Sequence, residues 1–212
     1  MIPLATMKMD PLSIWYRLCY TLWSPFYDLL VLWFAGWRRR SINLAELQPG
    51  ERVLIVGAGT GLDLKFIAPG VHITAIDVTP AMLWRLRRRA HRLGREVDAR
   101  VMDGQALDFP NGSFDVVVLH LILAVIPDPV RCAREVARVL RPGGRAVVMD
   151  KFLADDRPVP LILRLVNPVL KSLGTNVNRQ LGPILEGSGL RIVRQDSAGP
   201  GGFLKIILLR KE

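Results

Sequence analysis

The run Val53-Leu54-Ile55-Val56-Gly57-Ala58-Gly59-Thr60-Gly61 constrains the fold of this chain more than any other. Four consecutive apolar residues predict a strand covered on both faces, as in a parallel sheet. The glycines that follow permit a tight turn and let a ligand approach bare backbone. Asp77 closes the next apolar run, 71–77. It therefore stands at the carboxyl edge of the sheet, where a carboxylate can accept both hydroxyls of a ribose. The alternation continues, with strands expected at 97–102, 114–120 and 145–150 and helices at 63–68, 81–93 and 129–140. Such alternation implies an α/β fold, a mostly parallel sheet with helices on both faces. Residues 190–195 and 203–209 have no helix between them and are expected to pair antiparallel at the sheet's end.

Glycine spacing narrows the ligand. A dinucleotide site reads GxGxxG, whereas here the spacing is GxGxG and Leu62 stands where the third glycine would be. That disfavours a pyrophosphate. No Gly-Lys-Ser/Thr follows, which excludes a P-loop.

With the VGAGTG loop, ITAIDVTPAML, MDGQALDFPNGSFDVVV and REVARVLRPGGRAVVMD, residues 52–150 resemble the class I S-adenosylmethionine-dependent methyltransferases. The resemblance implies a Rossmann-like class I methyltransferase fold that takes S-adenosyl-L-methionine and releases S-adenosyl-L-homocysteine. Position by position, it implies that the backbone of Gly57, Ala58, Gly59 and Gly61 lies against the methionine part. Asp77 takes the ribose hydroxyls. Val78 and Met82 flank the adenine, with Asp103, Gly104 and Gln105 at its edge. His120 ends its strand beside the sulfonium. Members of the family often carry an acid where this chain has Ile55. Here the methionine amino group is expected to be held mainly by backbone. Singly, these residues have plainer roles: Asp77 as a helix cap, His120 as a buried hydrogen-bonded histidine, Asp103 as a surface carboxylate.

Outside that stretch, composition speaks to the partner. Lys and Arg number 29 against 19 Asp and Glu, a net charge of +10, so an anionic partner is expected. Two cysteines are too few for a disulfide framework, which points to a reducing compartment. The opening MIPLATMKMDPLS is not a secretory signal, and the run 29–37 falls far short of the ~20 residues a spanning helix needs. Four of the five tryptophans (Trp15, Trp23, Trp33, Trp37) and all three tyrosines precede residue 40. Asp10-Pro11 is a good helix start, and Leu12, Trp15, Cys19, Leu22 and Trp23 recur at helical spacing. After Pro25 a second apolar helix is expected over 26–37, ending in Arg38-Arg39-Arg40. Tryptophan-rich apolar faces beside basic residues suit a membrane interface. The plainer alternative is a helix pair packed on a soluble core. Arg85, Arg87, Arg88, Arg89, Arg92 and Arg95 add a third basic element, whose ordinary reading is a solvated face.

These features divide the chain into residues 1–40, amphipathic lid helices at a membrane, and 41–212, the cofactor-binding domain, with 153–189 an inserted surface facing substrate and membrane. No Asn/Asp-Pro-Pro-Tyr/Phe run and no metal-ligand spacing is present. The segments SPFYDLL…GWRRRSI and GTNVNRQLGPIL make the chain similar to bacterial phospholipid N-methyltransferases, which convert phosphatidylethanolamine to phosphatidylcholine. Ubiquinone/menaquinone methyltransferases share Tyr27-Asp28 and are the near rival. The resemblance implies a phospholipid substrate on an anionic membrane rather than nucleic acid, and a cytoplasmic protein peripheral to the inner membrane. His120, Tyr16 and Tyr27 are then candidates to accept the amine's proton, and Arg179 with Asn178 to hold the lipid phosphate. A non-catalytic protein that binds cofactor and membrane is the third possibility. Oligomeric state is left open.

Overall fold

The structure, a computed structural model, describes Thr21 and residues 32–153, 178–199 and 204–212. One seven-stranded sheet runs in the order β3-β2-β1-β4-β5-β7-β6. Its strands are β1 Arg52–Val56, β2 His72–Asp77, β3 Val97–Val101, β4 Phe114–His120, β5 Leu140–Lys151, β6 Leu190–Ala198 and β7 Leu204–Lys211. The first five pair parallel, and β7 runs antiparallel to both β5 and β6. Among the described residues four α-helices accompany the sheet: α1 Ala35–Leu44, α2 Pro80–Arg92, α3 Pro129–Val139 and α4 Leu181–Leu185.

Alternate residues of β1 face opposite layers, as the two-residue period of a strand requires. Val53 and Ile55 pack with Leu83, Leu86 and Ala90 of α2 and with Ile42 of α1. Leu54 and Val56 pack with Cys132, Ala133 and Val136 of α3 and with Leu181 and Ile184 of α4. Every residue of β4 is buried, as expected at the centre of a doubly covered sheet. This burial, more than capping, holds the helices. Asp128 caps α3 by accepting from the Arg131 N–H at 2.9 Å, a contribution of about 1 kcal/mol, whereas Thr79 makes no side-chain cap for α2. Each fully buried leucine of α2 contributes about 1.5–3 kcal/mol.

Four expectations from sequence are corrected. The helix expected over 63–68 is only a 3-10 turn, Leu64–Phe66, because Pro69-Gly70 stops it and the Asp63 side chain turns into the protein. The strand expected from 145 starts at Leu140, and residues 141–144, with Gly143-Gly144, bulge out where the register shifts between Phe114 and Val116. The terminal strands pair antiparallel at the sheet's end, as expected, with β7 standing between β5 and β6. Physical chemistry explains the order. The apolar β7 takes the covered position, and β6, with exposed Arg191, Arg194 and Gln195, takes the edge, where charge discourages further pairing. Arg38-Arg39-Arg40 does not end a helix. Within the described residues α1 begins at Ala35 and runs through all three arginines, good helix formers, to Leu44. Finally, the end of the 153–189 surface is core, because Leu181, Ile184 and Leu185 of α4 are buried. The Leu153 N–H donates to the Arg179 carbonyl at 2.9 Å, so the chain on either side of 154–177 stands side by side. The expected helices at 10–24 and most of 26–37 lie outside the described residues.

Candidate active site at the carboxyl edge of the sheet

At the end of β1 the chain turns sharply. Gly57 has φ +66, and a Cβ placed there would stand 2.6 Å from Ile122 Cδ1. Only glycine satisfies both the backbone and the space. The turn is tied to β2, because the Ala58 N–H donates to the Ile76 carbonyl at 2.9 Å and the Gly59 N–H to Asp77 Oδ2 at 2.9 Å. The other Asp77 oxygen accepts from the Thr79 N–H at 2.8 Å. Burial pushes the Asp77 carboxyl up from its ordinary range, and these two donors pull against it. Each carboxylate oxygen carries a second lone pair, so Asp77 retains acceptor capacity for a vicinal diol.

A cavity of about 720 Å³, counting its open mouth, lies over this edge. Gly57, Gly59, Asp77, Val78 and Met82 line one side, Asp103 and Gly104 another, and His120, Leu121, Ile122, Val125, Ile126 and Pro127 the far wall. A Cβ on Gly104 would meet Val56 Cγ1 at 2.7 Å, so the backbone there forms the cavity floor directly.

Three expected contacts fall just outside the lining. Ala58 is buried behind the loop, and Gly61 (φ +78) lets the loop seat on α2, since a Cβ would stand 2.9 Å from Leu86 Cγ. Gln105 clips two loops together: its Nε2 donates to Asp103 Oδ1 at 3.0 Å while its Oε1 accepts from the Asp128 N–H at 2.8 Å. Ile55 is core and does not reach the cavity.

His120 ends β4 against the cavity, yet its ring edge belongs to a buried chain of polar groups. Nδ1 lies 2.8 Å from Asp63 Oδ1, and Nε2 lies 2.8 Å from Ser41 Oγ. The Arg38 Nη1 donates to both Asp63 oxygens, at 2.9 and 3.0 Å. All four residues are at most 4% exposed. Burial alone would raise the Asp63 carboxyl, but the Arg38 guanidinium, and then His120, hold it well below the usual carboxylate range.

The far wall is also braced. Leu121, at φ 59, donates its N–H to the Met149 carbonyl at 2.8 Å. Asp150, fully buried and pushed up by that burial, accepts from the Ala124 N–H at 2.8 Å. Arg179 donates to the Ile126 carbonyl at 2.6 Å, so one of its nitrogens is turned to the cavity wall. Asn178 is half-buried beside it. Tyr16 and Tyr27 lie outside the described residues.

Sequence reasoning missed Ser41, Asp63 and Asp150 and placed Arg38 on the outside. For the two acids a signal existed. Asp150 ends an apolar strand as Asp77 does, and Asp63 interrupts an apolar run directly behind the glycine loop. For Arg38 and Ser41 there was none.

The arrangement fits an adenosyl group. A carboxylate faces the mouth beside a bare-backbone turn, an apolar slot runs between Val78, Met82 and Ile126, and Asp103 stands at its edge. No cluster of metal-ligating side chains is present among the described residues.

Comparison with known proteins agrees with the geometry. A family model described as "Methyltransferase domain" matches residues 54–148. Over 164 residues the chain is 34% identical to a phosphatidylethanolamine N-methyltransferase of Cereibacter sphaeroides, covering 76% of this chain and 81% of that protein. Over 135 residues it is 40% identical to a demethylmenaquinone methyltransferase of Thermus thermophilus, covering 60% of this chain and 61% of that protein. A solved geranyl diphosphate methyltransferase in complex with S-adenosylmethionine superposes with a TM-score of 0.69 at 16% identity, over 83% of this chain and 84% of that one. At such identity the likeness is one of fold.

Proposed function

The chain belongs to the S-adenosylmethionine-dependent methyltransferases, and from that premise we propose that it methylates the amine of phosphatidylethanolamine and of its partly methylated forms, towards phosphatidylcholine, at an anionic membrane surface. The observation that carries this choice of acceptor is coverage. The likeness to the Cereibacter enzyme spans 81% of that protein and extends well beyond the cofactor-binding core. Trp33, 77% exposed just before α1, and Arg39, exposed within it, suit a surface that rests on lipid head groups. The proposal places the protein peripherally on the cytoplasmic face of the inner membrane; among the described residues no helix is long and apolar enough to cross a membrane.

When bound, S-adenosylmethionine supplies an activated methyl group for in-line displacement. The chain itself aligns the partners and excludes water. Asp77 would hold the ribose hydroxyls, the glycine turn the methionine part, Val78 and Met82 the adenine, and Asp103 its edge. The ammonium of the acceptor must lose a proton before it attacks. Both His120 nitrogens are already engaged, so His120 accepts that proton only by releasing Ser41 or Asp63. Tyr16 and Tyr27 are the proposed alternatives. Arg179, with Asn178, would hold the lipid phosphate from the wall it braces.

A second reading, a quinone C-methyltransferase, is favoured by the 40% identity to the Thermus protein. Incubation with labelled S-adenosylmethionine and either phosphatidylethanolamine vesicles or demethylmenaquinol decides between them. Labelled phospholipid is expected; labelled quinol with unlabelled lipid would reverse the assignment.

A further inference from the structure

The buried polar chain beneath the cavity wall joins three distant pieces of sequence. Arg38 and Ser41, one turn apart on α1, face the same way. Arg38 reaches Asp63 behind the glycine loop, and Ser41 reaches His120 at the end of β4. Asp63 is the hub, since Oδ1 meets both Arg38 and His120, and Oδ2 meets Arg38 alone. A carboxylate only accepts, so the ring must present Nδ1–H to Asp63, which leaves Nε2 facing the Ser41 hydroxyl. Ser41 is completely buried, so the Ser–His–Asp sequence of contacts is not a nucleophilic device. Its consequence is geometric. A ring held at both nitrogens cannot swing, and this ring is part of the cavity lining.

We propose that Asp63 is a positioning residue for methyl transfer, fixing the His120 ring as part of the cavity wall and locking α1 onto the glycine loop through Arg38. It touches neither cofactor nor acceptor. It acts through His120 and through the register of α1. The inference rests on the methyltransferase assignment and not on the identity of the acceptor.

The test uses the full-length chain with whichever acceptor it methylates. In ¹⁵N-labelled protein the His120 signal is assigned by comparison with His120→Gln; the other two histidines, His72 and His91, are exposed. A protected, strongly downfield Nδ1–H is expected, as for a charge-assisted bond. In Asp63→Asn one oxygen must serve both Arg38 and the ring, and that proton signal should shift upfield or vanish. In the same variant kcat should fall at least about tenfold, the order expected from misplacing a wall by a fraction of an ångström, while affinity for S-adenosylhomocysteine changes less than about threefold. Combined with His120→Gln, Asp63→Asn should cost less in kcat than the two single losses together. A merely structural aspartate would give additive losses. If Asp63→Asn does not fold, Asp63→Glu keeps the charge and moves it by one methylene, and the same fall in kcat with a shifted ring signal is expected. Wild-type kcat in either folded variant, or an unmoved Nδ1–H, overturns the proposal. The ring signal needs no acceptor, so a mistaken acceptor cannot imitate this failure.

Discussion

Replacing Arg38 with Met tests the energetics of the buried network. Both side chains of the Arg38–Asp63 pair are almost inaccessible, 5% and 3% exposed, and the separation is 2.9 Å. Methionine fills much of the arginine stem's volume but leaves Asp63 without its cation. Removing one partner of a buried pair typically destabilises by about 3–5 kcal/mol, because the remaining charge is left uncompensated. His120 still donates to Asp63, so the lower end, about 3 kcal/mol, is expected here. For a chain of this length that corresponds to a fall in Tm of about 6–12 °C. Urea unfolding at pH 7, followed by circular dichroism, gives the difference directly. Its pH dependence has a definite sign. In the wild type the Asp63 pKa is depressed, so its contribution is present above the unfolded value of about 3.9 and lost as pH falls below that value. In Arg38→Met burial acts without the guanidinium, the folded pKa rises, and acidification relieves the variant first. The stability gap should therefore narrow from pH 7 to pH 5. A variant within 1 kcal/mol of wild type at pH 7, or a gap that widens on acidification, would refute the reasoning.

Two further outcomes are expected. Asp77→Asn should weaken S-adenosylhomocysteine binding by about tenfold to a hundredfold in calorimetry, the worth of hydrogen bonds to a charged acceptor. Burial raises the Asp77 carboxyl, so wild-type affinity should also decline as pH is lowered towards 5 while the Asn variant stays flat; equal affinities for the two proteins would remove Asp77 from the site. Deleting residues 1–24 should abolish co-sedimentation with anionic vesicles, and a truncated protein that still sediments would show that lipid attachment lies elsewhere.

How much of this was legible beforehand depended on the range of the interaction. Val53 to Val56 and Phe114 to His120 announced covered strands because burial on both faces removes the polar alternation that an exposed strand shows. Glycines at 57, 59 and 61 and the acid ending the next strand marked the ligand edge for the same local reason: the turn needs unusual φ values, and every parallel strand delivers its last side chain to one edge. Arg38 was misplaced because a run of three arginines looks alike whether it faces solvent or a buried carboxylate.

The order of strands and glycines by itself therefore determined the sheet and the edge that takes the ligand. Tertiary structure alone decided that β7 enters between β5 and β6, that Arg38 turns inward, and that Asp63 joins Arg38 and His120. The bonds in that cluster span 25, 57 and 79 residues. Periodicity is set by neighbours along the chain. Which charge meets which is set by the low-dielectric space that closes only when the layers pack.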